Sequence, residues 1–370
     1  MKKIVGTIAA IALAASSAFA GANFGMGFNR GFFTPFAWDG EAKADISTSW
    51  GDAPRIGASF SAASEDVGVV ADVKFDNGSV AVNDNAYIWV KPASWLKIQI
   101  GQSFDDTLRG NACFGTWDWL RPGNILGEDL TFTRVCGNPL AGAYAPLVGA
   151  IVMVDPIEGL HITASVPVYG LAPKSDTDPT LVPTGYVANT WESIAKSMQV
   201  AAGYTIPDVM QIKAQWIGNG ANGGVVNAAV ALKAVEGMTL DVGAFIPVED
   251  ASKTTIAAFW GMGFDAVSVN VNAQVKLAKD DTQTTDVAAG AGRGVDLGNG
   301  LSCGADVRYS QSFKANVNND PAIAFAAWLD KGIANGTLGV AVQGAMKTGI
   351  RDIEASDFTF AVPVRVQCFF

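Results

Sequence analysis

From Val267 to Leu277 the chain alternates without a break. Val267, Val269, Val271, Ala273, Val275 and Leu277 fall on one face, and Ser268, Asn270, Asn272, Gln274 and Lys276 on the other. Successive side chains of a strand point to opposite sides, so this segment is a ribbon with one apolar and one polar surface. The pattern recurs. Leu96, Ile98 and Ile100 oppose Trp95, Lys97 and Gln99; residues 210–216 oppose Gln211, Lys213 and Gln215 to apolar neighbours; residues 160–166 set His161, Thr163 and Ser165 against apolar neighbours. A soluble sandwich also alternates. The lengths here are about 10 residues, what a tilted strand needs to cross a bilayer.

The connections support the same reading. Short turns are expected near Pro92, Pro156, Pro207, Gly237, Gly261 to Phe264, Asn299 and Asn335. Longer polar stretches interleave with them, at 104–146, 169–196, 218–223, 248–253, 278–285, 311–320 and 347–357. Short periplasmic turns and long extracellular loops alternate in this way in outer-membrane barrels. The fold class expected is all-β: a transmembrane antiparallel up-and-down β-barrel of about 16–18 strands, an even number returning both ends to one side. Strands are expected near 41–50, 55–63, 67–75 and 80–91, with the barrel over 41–370, and residues 21–40 as an N-terminal periplasmic or lumen segment.

Composition narrows the alternatives. Hydrophobic residues make up 49% of the 370, yet charged residues only 16%, against about 25% in ordinary soluble domains. The formal charge of -10 argues against nucleic acid, whose phosphates need a basic surface. Lys2 and Lys3, the apolar run from Ile4 to Ala15 and Ala18-Phe19-Ala20 have the layout of an export signal over 1–20, cleaved after Ala20. Export brings an oxidising compartment. Cys113 and Cys136 share one long irregular segment and are candidate disulfide partners. Cys303 and Cys368 read as small lipid-facing hydrophobes.

At the end of the chain Phe358, Phe360, Val362, Val364, Val366, Cys368 and Phe370 occupy every second position. This resembles the C-terminal strand of bacterial outer-membrane β-barrel porins. The resemblance implies an assembly signal recognised by the barrel-assembly machinery, residence in the cell outer membrane, and outer-membrane lipid as a partner. The stretch from Ala86 to Gln102, with Asp106-Thr107-Leu108-Arg109 after it, resembles porin-like outer-membrane proteins of spirochaetes of the Treponema type. That implies a porin or surface antigen.

Aromatic residues near expected strand ends (Trp50, Trp89, Trp95, Trp216, Tyr309 and Trp328) are candidates for interfacial girdles, although Trp89 and Trp95 have lumen parity. Residues 104–146 are too long for a plain connector. They hold Asp105, Asp106, Asp118, Glu128 and Asp129 with Arg109, Arg121 and Arg134. Folded inward, acids facing arginines would form a pore constriction. Folded outward, the same loop would be a lid. Lumen wall candidates are Lys97, Lys213, Asp241, Lys276, Asp306, Arg308 and Arg365.

Enzyme readings find little support. The only histidine, His161, has Ser165 on its face about 13 Å away along a strand, and no Cys/His group has zinc spacing. Neither a metal nor a cofactor is expected. The leading expectation is a porin passing small hydrophilic solutes or ions by passive diffusion, with a homo-oligomer left open. The alternatives are a structural or adhesive surface barrel, and a plugged transporter of hydrophobic substrates using the aromatic residues of 21–40.

Overall fold

The computed structural model describes residues 23–25, 28–38, 40–48, 55–76, 79–103, 105, 107–108, 147–167, 170–171, 186–187, 190–218, 223–264, 267–277, 284–314, 321–347 and 358–369. Twenty strands form one sheet, with every neighbouring pair antiparallel. In chain order they begin β1 (Asn23–Gly25), β2 (Phe28–Trp38), β3 (Ala42–Thr48), β4 (Arg55–Ala63), β5 (Val67–Asp76), β6 (Ser79–Ala93), β7 (Leu96–Ser103), β8 (Leu147–Ile157) and β9 (Leu160–Pro167). A two-stranded ribbon, β10 (Gly170–Leu171) with β11 (Tyr186–Val187), and a six-residue helix α1 (Trp191–Lys196) interrupt the wall. It resumes with β12 (Gln199–Ile206), β13 (Met210–Gly218), β14 (Gly224–Leu232), β15 (Met238–Pro247), β16 (Thr255–Phe264) and β17 (Val267–Lys276). The last strands are β18 (Thr284–Gly298), β19 (Leu301–Lys314), β20 (Ala322–Ile333), β21 (Gly336–Lys347) and β22 (Phe358–Phe369).

The sheet closes on itself. β22 pairs with β2 from Phe28↔Phe369 to Trp38↔Phe360, and β1 pairs with β4 on the other side. β3 pairs with Gly31 to Trp38, and β4 with Asn23 to Gly25, so β3 and β4 run in one direction along the same neighbour. They are two halves of one stave, as are β1 and β2. Taking each of those two pairs as one, the 20 strands become 18 staves among the described residues. An even number lets every stave pair antiparallel around the ring.

Two expectations are corrected here. Residues 21–40 were expected as a periplasmic or lumen segment, with the barrel wall beginning at 41. Instead 23–25 and 28–38 form the first stave. The aromatic residues that suggested a plug alternate as wall residues: Phe32 and Thr34 are buried, while Phe33 and Phe36 are exposed. The C-terminal strand needs a ladder partner inside the bilayer, where unpaired backbone is costly, and β2 supplies it. The expected strands 41–50 and 55–63 are not separate staves either.

Short turns gather at one end. Glu158-Gly159 joins β8 to β9, with Gly159 at φ +81°, and Ala334-Asn335 joins β20 to β21, with Asn335 at φ 55°. Glycine and asparagine tolerate this left-handed region, which tight hairpins need. Both the start of β1 and the end of β22 lie at this end, the periplasmic one by the usual rule for such barrels.

The two faces of the wall follow the alternation. Ile88 is 62% exposed and Ile100 63%, with Ile212, Val307, Val340 and Val366 also exposed. The residues between them, including Gln99, Gln215, Arg308, Gln343, Arg365 and Gln367, are buried. This is a soluble protein turned inside out: an apolar outer band that requires lipid around it and a polar interior. No described helix is long and apolar enough to cross a membrane, so strands do the crossing. Cys303 and Cys368 are free and on the outward face.

Candidate functional site

The lumen is built from the inward residues of the staves, and the segment after β7 enters it. Ser103 ends β7. Two residues later, the Asp105 carboxylate accepts hydrogen bonds from the backbone N–H and hydroxyl of Thr107, at 2.9 and 2.6 Å. Its other oxygen accepts from the hydroxyl of Thr163. Thr163 lies on the inner face of β9, with β8 between β9 and β7 in the wall. The chain leaving β7 therefore crosses the inside of β8. A Cβ at Gly203 on β12 would stand 3.8 Å from Cγ2 of Thr107, so the segment continues along the inner wall. Leu108 is 1% exposed and Asp105 4%. Glycine at 203 leaves room for both Thr107 and the Lys213 stem, whose Cγ is 3.4 Å from that Cβ position.

Of the constriction residues expected from sequence, Asp105 is thus placed inside the barrel. Asp106, Arg109, Asp118, Arg121, Glu128, Asp129 and Arg134 lie outside the described residues, as does the Cys113–Cys136 pair. Thr163 and Gly203 were not singled out as partners of this segment. Only the length of the loop pointed to it, because a contact across an intervening stave leaves no mark on local periodicity.

Asp241, Asp306 and Arg308 are 2%, 4% and 2% exposed, and Lys97, Lys213 and Arg365 share their parity on the inner face. Lys276 occupies an inward register position, two residues from the buried Gln274. The large inward side chains lie over glycines. Arg308 rests on Gly290, where a Cβ would meet its Cδ at 2.3 Å, and pairs with Asp306. Arg365 on β22 reaches Asp330 on β20 at 2.6 Å. The residue between them on β21, in register with both, is Gly339. Glycine at that position presents no side chain between the two partners. His161 bonds Asp155 at 2.6 Å near the short-turn end.

β13, β14 and β21 each carry a buried amide on the inner face. Those of Gln215, Asn227 and Gln343 have no protein hydrogen-bond partner among the described residues. Across the lumen's other arc, Ala322, Ala324, Ala326, Ala341 and Ala345 form an apolar inner surface with Phe32, against which Trp328 packs. Trp328 is therefore inward and no girdle residue, and Trp89 likewise faces the lumen with Lys97 over its ring. Trp216 and Tyr309 are outward, whereas Trp50 is outside the described residues.

OpdL of Pseudomonas aeruginosa matches this architecture with a TM-score of 0.57 at 10% identity, over 95% of this chain and 98% of its own. The chain has the fold of an outer-membrane β-barrel. OpdK of Pseudomonas aeruginosa, in a structure with vanillate, matches the barrel at TM-score 0.55 and 13% identity, over 94% and 98%. A loop L8 deletion mutant of OmpT, an outer membrane protein of Vibrio cholerae, gives 0.51 and 11%, over 94% and 99%. At these identities the likeness is one of fold. No family model matches the sequence of the barrel, and no curated protein matches it.

Proposed function

We propose that this barrel is a passive diffusion channel for small hydrophilic solutes, narrowed by the 104–146 segment. The observation that carries the reading is the anchoring of Asp105 to Thr163 with Thr107 beside Gly203. A lid over the mouth would have no reason to begin by descending the inner wall. The polar inner face favours a wet path, since unpartnered amides are costly unless solvated. Acids and arginines of the segment, held against a wall that carries Lys97 and Lys213, would set a transverse field and a size limit. A Cys113–Cys136 disulfide would brace it by about 3 kcal/mol in the chain-entropy picture. Export by a signal cleaved after Ala20, assembly through the β22 pattern ending at Phe370, a homo-oligomeric state and a kinship with spirochaete porin-like proteins belong to this proposal.

Planar-bilayer recording tests it. The whole protein should give stable single-channel conductance, and shortening 104–146 should raise it. Replacing Arg109, Arg121 and Arg134 by glutamine should shift selectivity toward cations, less so at about 1 M salt, where charges are screened beyond roughly 3 Å. A parent that does not conduct would favour a surface-binding role. A loop-shortened protein with the parent's conductance and ion preference would leave the segment as a lid.

A further inference from the structure

Trp89 faces the lumen from β6, in register with Gly68 of β5. A Cβ at Gly68 would stand 2.5 Å from Cε2 of the indole, so the ring lies against that glycine's backbone. Two ammonium groups share the ring. Lys97 Nζ is 5.3 Å from its centroid and Lys91 Nζ 5.4 Å. The negative face of an indole attracts a cation, but one ring does not neutralise two. Among the described residues, no carboxylate lies within the 4.0 Å ion-pair distance of either Nζ. Asp155, on β8, bonds His161 instead.

We propose that Trp89, Lys91 and Lys97 form a carboxylate-binding station at the short-turn end of the lumen, where an anionic solute pauses before leaving. The inference rests on the channel reading of the lumen. Two like charges near one ring repel each other, and an anion drawn to both turns that repulsion into two attractions. A Lys ammonium is a compact point charge on a flexible stem, so the station selects for charge more than for shape. It therefore fits the carboxylates of any compact solute. The indole stiffens the site: its bed on Gly68 fixes where the ammoniums rest. Lys233, exposed in the turn between β14 and β15, serves as an internal control.

The test uses the full barrel folded in detergent at low salt, with succinate as the probe and binding followed by calorimetry. The parent should bind succinate saturably. K91Q/K97Q should weaken binding by about tenfold or more, the scale of losing a charge-assisted contact. K91R/K97R should retain most of it, and K233Q should change it little. Heat-modifiable electrophoretic mobility verifies folding of each variant. In a bilayer, the same K91Q/K97Q variant should lower the anion-to-cation permeability ratio. No succinate binding by the parent, or equal binding by parent and K91Q/K97Q, overturns the station. Intact, lysine-dependent binding by a barrel that does not conduct overturns the channel reading alone.

Discussion

On β9 and β12 to β14 the inward side chains include Thr163, Ser165, Gln199, Gln215 and Asn227; on β20 to β22 they include Ala324, Ala326, Ala341, Ala345 and Ala361. Both arcs are buried and both mix polar with small apolar residues. Hydroxyls and amides are more frequent on the first and alanines on the second, where Gln343 sits between Ala341 and Ala345. The polar arc offers amides and hydroxyls, and the segment after β7 docks there by hydrogen bonds. The alanine arc offers a smooth apolar bed for Phe32 and Trp328. Outside, the same strands present a similar apolar band, so the lipid does not distinguish them. The difference is directed inward. One arc holds Asp105 at the start of the segment after β7, while the other lines the wall with small side chains. The Arg365–Asp330 pair over Gly339 spans strands of the alanine arc and is its main charged feature.

A charge on the alanine arc should do the most damage. Ala326→Arg buries an unpaired cation among Phe32 and the alanines. It should cost about 3 kcal/mol or more, in line with an uncompensated buried charge. The urea midpoint of the folded barrel reads this out. A loss under ~1 kcal/mol would mean that the arc is wet like its counterpart.

Next in size is the pair over the glycine. Arg365→Gln leaves Asp330 without its 2.6 Å partner and should cost roughly 2 kcal/mol, below the fully buried range because both side chains retain some solvent contact. Gly339→Val should cost a similar amount, by standing between the partners. If Gly339→Val is neutral, the pair does not need the gap.

The polar arc should answer differently. Asn227 is fully buried, and its amide has no protein partner among the described residues. In a wet lumen its solvation offsets its burial, so Asn227→Ala should shift stability by no more than about 0.5 kcal/mol. In a dry lumen, removing an unsatisfied amide would stabilise the barrel by about 1–3 kcal/mol. The size of the shift in a single urea titration thus separates the two conditions.

Smallest is an effect outside the wall. On α1 the Lys196 ammonium hydrogen-bonds Glu192 at 2.7 Å. That bond, with the lysine charge, holds the Glu192 carboxyl below its ordinary value. A lowered carboxylate pKa adds stability above the unfolded value, and this is lost as pH falls through the folded one. Glu192 is fully exposed, so only local hydrogen-exchange protection of α1 should fall under acid conditions, leaving the global midpoint unchanged by Glu192→Gln.

Much of this architecture is legible in the sequence because alternation is a local property. Residues 267–277, 160–166 and 358–368 declare their two faces within a few positions, and a Gly or an Asn with positive φ marks the turns at Gly159, Gly237, Asn299 and Asn335. The first stave escaped for a physical reason. Phe32, Phe33 and Phe36 straddle a bulge in the pairing with β22, which breaks the period of two at Thr34-Pro35. The interruption between β3 and β4 likewise makes one stave look like two. In the lumen, parity placed Lys97, Asp241, Arg308 and Arg365 on the inner side. It did not show that Arg365 meets Asp330 across Gly339, or that Asp105 meets Thr163 across β8. Such contacts depend on register between staves far apart in sequence.

The central claim is that the chain after β7 runs down the inside of the polar arc. It is tested most directly by placing cysteines at 105 and 163 in a protein whose four native cysteines are replaced by serine. A short bifunctional thiol reagent is then applied to the folded barrel. The account predicts efficient cross-linking in D105C/T163C, visible as altered mobility after unfolding, and little in D105C paired with a cysteine at Ala326 on the opposite arc. Equal labelling of both pairs, or a D105C/T163C barrel that stays uncross-linked while each thiol reacts singly, would contradict it.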